Sequence, residues 1–276
     1  MDEKTQSPDT NVPESGDRSE TPGSFLRFIL LVALAALAFR SFAFSLFNIP
    51  SESMLPRLMN GDYLVASKWP YGFTSNSLPF DLPIIPGRWF AAQPERGDIV
   101  IFKHPIDGTD YVKRAIGLPG DTVEMRRGQV ILNGEPLPRV RLGDFRIPVS
   151  ANTRCAWAAR SQRQPDGRIL CSYTRYRERL PGGRTYEVLD FGRLPQDDFP
   201  EVTVPEGAMF LMGDNRDNSQ DSRFRPEAAG GVGLVPQALL VGRAESIVFS
   251  TDGGAEWLRP GSWFSATRWE RIGDGL

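Results

Sequence analysis

One apolar run, FLRFILLVALAALAFRSFAFSLF from Phe25 to Phe47, divides the chain into a short leader, a hydrophobic segment and a long body. From Phe28 to Phe47 it gives 20 residues, enough for a helix to cross about 30 Å of hydrocarbon. Only Arg40 interrupts it, and an arginine near one end can snorkel to the headgroups, leaving Phe42, Phe44 and Phe47 at the interface. A cleaved secretory signal, processed after Ala43, is the competing reading. The leader is acidic rather than basic and the run is long for a signal, so an uncleaved anchor over residues 25–47 is expected. Arg27 precedes the span while Arg40 and Arg57 follow it, so flank charge alone does not set its direction.

Residues 1–24 carry six acids, two bases and many Ser, Thr and Pro, a composition that cannot bury a core and is expected to be disordered. The body, 48–250, has short Val/Ile/Phe-rich runs between abundant glycines and prolines, and no helical period persists, so it reads as mostly β. Gly61-Asp62 and Gly97-Asp98 lead into YLVA and IVIF, as turn-to-strand entries do; Gly120-Asp121 and Gly213-Asp214 repeat the pair. Residues 122–137 read as a hairpin turning at Asn133-Gly134. The more polar stretch up to about 205 reads as an inserted subdomain. The last stretch, 251–276, is loop-like, with Trp257, Trp263, Phe264 and Trp269 expected to pack on the body rather than at a membrane interface. A net charge of −2 argues against a nucleic-acid surface.

Just past the apolar run, NIPSESMLPRL (48–58) places Ser53 six residues beyond Phe47. A serine hydroxyl needs a base to become a nucleophile, and the sole histidine is His104, in FKHP. Lysine is the other candidate. Only Lys4, Lys68, Lys103 and Lys113 are lysines among 32 basic residues. Arginine stays protonated, whereas a buried lysine can fall toward neutrality. Lys4 lies in the polar leader, Lys68 in a loop and Lys103 at a strand end. Lys113 sits inside an apparent strand, Tyr111–Ile116, and leads on position, although any of the three body lysines reads equally as a solvated charge. Alternation puts Tyr111, Lys113 and Ala115 on one face and Val112, Arg114 and Ile116 on the other; neither face is cleanly apolar, so the pattern does not say which is buried.

The segment GDNRDNSQDSR (213–223) is dense in short polar groups. Read as a calcium loop from Asp214, it would need a closing glutamate where Arg225 stands, so it fails. A self-bonded polar loop bracing an active site fits better, with Asp221 and Arg223 able to pair and Ser219 or Ser222 able to donate a hydrogen bond. Two cysteines and one distant histidine make a poor metal site, and no cofactor is called for. Cys155 and Cys171 are expected to form a disulfide if the body is extracytoplasmic, and to be two thiols otherwise.

IPSESMLPRL, GDYLVASKWPYG (61–72), RGDIVIFKHP with YVKRAIGLPGD (96–121), and GDNRDNSQDSR resemble the successive boxes of the type I signal peptidase family, in the family's order and after an anchor of the expected kind. The resemblance implies an antiparallel β-sheet catalytic domain with a smaller inserted β subdomain, preceded by one N-terminal transmembrane helix. It also implies a serine protease of the bacterial cytoplasmic membrane, single-pass, with its catalytic domain on the periplasmic side, removing signal peptides from exported preproteins. Its partners would be preprotein signal peptides, the lipid bilayer and, as a candidate, the secretion machinery.

On that pattern Ser53 is the nucleophile and Lys113 the base, with Ser51 and the Ser53 N–H as oxyanion hole. Ser219 would orient the Lys113 amine, Asp221 and Arg223 would brace the loop, and Asp214 with Arg114 would form a second supporting pair. Phe47, Ile49, Met54, Leu58, Tyr111 and Val112 would line shallow pockets for an extended substrate with an Ala-x-Ala preference. At ~3.3 Å per residue, the six residues after Phe47 keep Ser53 within about 20 Å of the bilayer. One stretch departs from the family's pattern: RPEAAGGV (225–232) lengthens the loop after DSRF. A specialised pilin- or conjugation-type processing protease and a non-catalytic anchored binding domain are the alternatives. A cytosolic self-cleaving Ser/Lys repressor is disfavoured by the anchor.

Overall fold

Three Gly-Asp pairs are one turn used three times. Gly61, Gly97 and Gly120 take positive φ of 92°, 94° and 87°, where a side chain would be strained. The aspartate that follows each turns back to cap the backbone N–H three residues earlier: Asp62 to Met59 at 2.7 Å, Asp98 to Glu95 at 2.9 Å and Asp121 to Leu118 at 2.8 Å. Each carboxylate then pairs with an arginine distant in sequence, respectively Arg271, Arg184 and Arg96. Turn chemistry therefore also ties separate parts of the chain together.

The computed structural model describes residues 22–77, 85–157, 159–256 and 258–276, and within the first of these not the side chains of 22 and 38–42. Most of the expected polar tail, and Trp257, lie outside the described residues. Helix α1 spans Pro22–Phe42. The described apolar side chains along it are exposed, among them Leu26 at 68% and Phe28 at 62%. Among the described residues no helix is long and apolar enough to cross a membrane.

The apolar run does not stay helical to Phe47. Strand β1 (Phe44–Asn48) takes its last residues and pairs antiparallel with β2 (Asp62–Ser67), with Phe47 opposite Leu64. The physical reason is visible in alternation: Phe47 turns into the core while Leu46 points out, and β2 gains a partner for an otherwise bare edge. The body thus begins at β1 rather than at residue 48.

Next come β3 (Ile99–Lys103) and β4 (Asp110–Gly117), a hairpin. The expected insertion follows as β5 (Thr122–Arg126), β6 (Gln129–Leu132), β7 (Glu135–Pro136), β8 (Arg139–Arg141), β9 (Phe145–Pro148), β10 (Arg160–Arg163), β11 (Ile169–Tyr173), β12 (Arg175–Arg179), β13 (Thr185–Leu189) and β14 (Phe199–Thr203). These form small antiparallel sheets in the orders β14-β5-β6-β7, β13-β12-β8 and β10-β11-β9. The single hairpin expected over 122–137 is two successive turns, at Arg127-Gly128 and at Asn133-Gly134. Cys155 and Cys171 are joined in a disulfide beneath Tyr173 and Ile147.

The chain then returns as β15 (Ala208–Met212), β16 (Val235–Pro236) and β17 (Leu240–Ser250), completing a seven-stranded sheet in the order β1-β2-β17-β3-β4-β15-β16. Apolar clusters cover both faces of its centre, one around Leu64, Ile99 and Ile101, another around Val100, Phe102 and Leu211. Helix α2 (Pro260–Ala266) follows. The tail is held by Arg271 on buried Asp62, yet its aromatic rings do not pack inward as expected: Trp263, Phe264 and Trp269 are 42%, 71% and 57% exposed. Backbone and guanidinium bonds fix this segment, so its rings are not needed for that.

Candidate active site

Strand β4 is flanked unequally. On one side β3 pairs with Asp110 through Arg114; on the other β15 reaches only Arg114 through Gly117. Asp110–Lys113 therefore keep an edge with no strand partner among the described residues, and a cleft of about 350 Å³ lies there. Its opposite wall is the segment from Phe47 to Met54 that leaves β1.

Lys113 Nζ sits at this edge, 2.8 Å from Ser53 Oγ and 3.2 Å from the Val112 carbonyl, with the Tyr111 ring centroid 5.4 Å away. Both side chains are nearly inaccessible, Ser53 at 8% and Lys113 at 4%. Burial lowers the Lys113 amine from 10.5 to about 8; Asp221 and Asp214 pull it back up, and Arg223 pushes it down. Ser51 Oγ lies 3.4 Å from Ser53 Oγ on the exposed lip. Lys68 and Lys103 do not line the cleft, and Lys103 pairs with Asp110 at 3.2 Å.

His104 is buried, but its work is elsewhere. Its ring packs at a tilt against Tyr111, centroids 4.7 Å apart, and Nε2 lies 3.2 Å from the Gly231 carbonyl. With the Ala229 N–H donating to Asp107 at 2.8 Å, it clasps the lengthened 225–232 loop to the β3–β4 turn, and Ala229 becomes part of the cleft wall. The loop therefore meets the cleft at its rim and leaves the Ser53–Lys113 contact intact.

The polar loop after β15 is a buried network. Arg223 grips Asp221 through two bonds of 2.9 Å, and Asp221 also accepts the Gly213 N–H at 3.1 Å. These contacts outweigh burial and hold the Asp221 carboxyl below its ordinary value. Arg114 pairs bidentately with Asp214 at 2.7 and 2.6 Å and donates to the Gly97 carbonyl. Ser219 departs from its expected part. Its hydroxyl is buried without a hydrogen-bond partner among the described residues, and the bonds of the Lys113 amine go to Ser53 and Val112. Ser219 instead packs over Gly213, where a β-carbon would stand 2.3 Å from its Oγ and 2.5 Å from the Ser53 carbonyl oxygen.

Of the expected pocket residues, Phe47, Ile49, Met54, Tyr111 and Val112 line the cleft. Leu58 does not; it is fully buried beneath Met54 and Ile49, one turn along, where its N–H bonds the Met54 carbonyl. Sequence reasoning gave no role to Asn215, Arg216 or Glu178. Arg216 is fully enclosed and pairs with Glu178, which also accepts the Tyr186 hydroxyl at 2.7 Å. The density of GDNRDNS was a signal for the first two; nothing local marks Glu178, which arrives from β12. A larger cavity of about 860 Å³ contains neither Ser53 nor Lys113, and arginines lining it, such as Arg175, Arg184 and Arg243, are already in ion pairs.

Residues 23–249 match the family described as signal peptidase, peptidase S26. The chain is similar to signal peptidase I of Rickettsia typhi (strain ATCC VR-144 / Wilmington), 33% identical over 82% of this chain and 80% of the relative. It is similar as well to signal peptidase I of Rickettsia prowazekii (strain Madrid E), 34% identical over 83% and 79%. A solved signal peptidase I from Enterococcus faecalis V583 is 27% identical over 55% of this chain and 97% of its own, with a TM-score of 0.29, too loose a superposition to compare folds. With most of its length matched, the chain belongs to the peptidase S26 family of signal peptidases.

Proposed function

We propose that this protein is a membrane-anchored signal peptidase I that cuts preproteins after an Ala-x-Ala-type site through a Ser53/Lys113 dyad. The observation that carries the reading is the 2.8 Å approach of a buried lysine amine to a serine hydroxyl at the open edge of β4. Neutral Lys113 takes the Ser53 proton as Oγ attacks the scissile carbonyl. Ser51 Oγ and the Ser53 N–H receive the developing oxyanion. Lys113 returns the proton to the leaving amine, and the ester is then hydrolysed by water with Lys113 again as base.

The unpaired edge of Asp110–Lys113 suits an extended signal peptide added as a strand, with Ile49, Met54 and Val112 lining the cleft beside Ser53. Asp221 with Arg223 and Asp214 with Arg114 brace the loop behind Lys113. Ser219 supports it by packing over Gly213. Anchoring by α1 is supported by its described apolar side chains, which are exposed from Phe25 to Leu37, since so much exposed apolar surface requires apolar surroundings. The same anchor and the disulfide support a bacterial inner-membrane protein with its catalytic domain outside the cytoplasm.

Incubating the full chain in detergent with a preprotein should release a product whose N-terminus begins directly after a small-x-small triplet. An uncut preprotein, or a product starting elsewhere, would overturn the assignment. Because only neutral Lys113 accepts the proton, kcat/KM should rise about tenfold per pH unit below about 8 and level off above it. A profile flat between pH 6 and 9 would exclude Lys113 as the base.

A further inference from the structure

We infer that Asn215 is the positioning residue that aims the Ser53 N–H at the developing oxyanion; this rests on the Ser53/Lys113 reading. Asn215 is wholly buried at the start of the polar loop and holds the nucleophile's turn at two consecutive carbonyls. Its backbone N–H donates to the Ser53 carbonyl at 3.0 Å, and its side-chain Nδ2 donates to the Glu52 carbonyl at 3.0 Å. The second bond fixes a donor that Asn215 never touches. A trans peptide is planar, with C=O and N–H on opposite sides, so anchoring the Glu52 oxygen on Asn215 turns the Ser53 N–H away from the interior, toward the cleft that Ser53 lines. No hydrogen bond from that N–H is found among the described residues, which leaves it open to a substrate oxygen.

The anchor itself is firm. Leu189 of β13 donates to the Asp214 carbonyl at 2.9 Å and accepts the Arg216 N–H at 3.0 Å, so the backbone on both sides of Asn215 is tied to the inserted layer. Asn215 Oδ1 has no hydrogen-bond partner among the described residues. The amide's service is therefore its donation to Glu52, and the opposite flip would set two oxygens face to face. The inserted subdomain thus reaches the nucleophile's turn through Asn215, holding the peptide plane before substrate arrives.

The test compares Asn215→Ala and Asn215→Leu with the intact protein; the second nearly keeps the volume, removes the donor without adding a charge, and carries the test if the first does not fold. Both should lose about 10- to 100-fold in kcat, a misaimed oxyanion donor being worth somewhat less than one removed. KM should stay within about threefold and the pH limb near 8 should not move. Affinity for a substrate-like peptide aldehyde, which forms a tetrahedral adduct on Ser53, should fall in step with kcat, while affinity for the same peptide as an unreactive amide should not. A kcat near wild type, an equal loss of both affinities, or a shifted pH limb would each overturn the inference. Ser53→Ala is the control: if it still cleaves, the Ser53/Lys113 reading fails, and if it is inactive while both Asn215 variants are fully active, only the role of Asn215 fails.

Discussion

Lys113→Arg should abolish cleavage nearly as completely as Ser53→Ala, lowering kcat/KM by about 10⁴ at pH 8. The charge is kept and the chain length is similar, so a loss of this size reports proton transfer rather than electrostatics. At pH 8 a lysine lowered to about 8 is neutral about half the time. An arginine with a pKa above ~12 is neutral less than about once in 10⁴. The measurement is kcat/KM on a preprotein or peptide, with thermal melts to show that the variant is folded. Activity within tenfold of wild type would remove Lys113 from the mechanism.

Lys113→Met completes the argument from the stability side. The fold holds the amine below its ordinary 10.5, so between about 8 and 10.5 the unfolded chain keeps a proton that the folded chain has released. That residue's contribution to stability therefore rises with pH across the window and is most unfavourable below it. The inactive Lys113→Met variant should gain up to roughly 3 kcal/mol in denaturant unfolding at pH 7, at about 1.4 kcal/mol per unit of displaced pKa.

Gly213→Ala is the second large effect, and it works through sterics alone. The added β-carbon would sit 2.3 Å from Ser219 Oγ, 2.5 Å from Ser219 Cβ and 2.5 Å from the Ser53 carbonyl oxygen. Each is closer than such contacts allow, and the last belongs to the backbone of the nucleophile, so the Ser53 turn and its alignment with Lys113 must shift. A loss of about 10²–10³ in kcat is expected, because a misplacement of about 1 Å costs that order, together with about 1–3 kcal/mol of stability from overpacking. The double variant Gly213→Ala/Ser219→Gly separates the two contacts. Removing the Ser219 side chain should recover part of the stability but little of the activity, since the Ser53 oxygen still collides. Wild-type activity in Gly213→Ala would show that the Ser53 turn is free to move.

The inserted layer explains why Glu178 matters although no local pattern marks a role for it. Glu178 comes from β12, far in sequence from the loop, and neutralises Arg216 inside the protein. Removing one member of such a pair strands the other's charge in the interior, so it is topology that gives Glu178 its importance. The disulfide belongs to the same layer, but its pairing depended on the compartment as well as on the sequence.

What the residues alone determined was chemical. One histidine, four lysines and a serine just past an apolar run reduced the choice of base to a few side chains, because only lysine among the abundant cations can give up its proton. The Gly-Asp pairs foretold turns for a similarly local reason, a positive φ and a carboxylate reaching back three residues. What only the tertiary structure decided was which neighbours each side chain would meet. Alternation along Tyr111–Ile116 did not distinguish the faces of β4 because both are covered, Val112 by the cluster around Ile49 and Met54, and Tyr111 and Ala115 by the cluster around Val100 and Phe102. The apolar run ended early as a helix because β2 offered Phe44–Asn48 a strand edge, a contact that no helical period encodes. Ser219 packs over Gly213 and has no bond to Lys113 for the same kind of reason: reach and packing are fixed by residues distant in sequence, which a single chain read in order does not bring together.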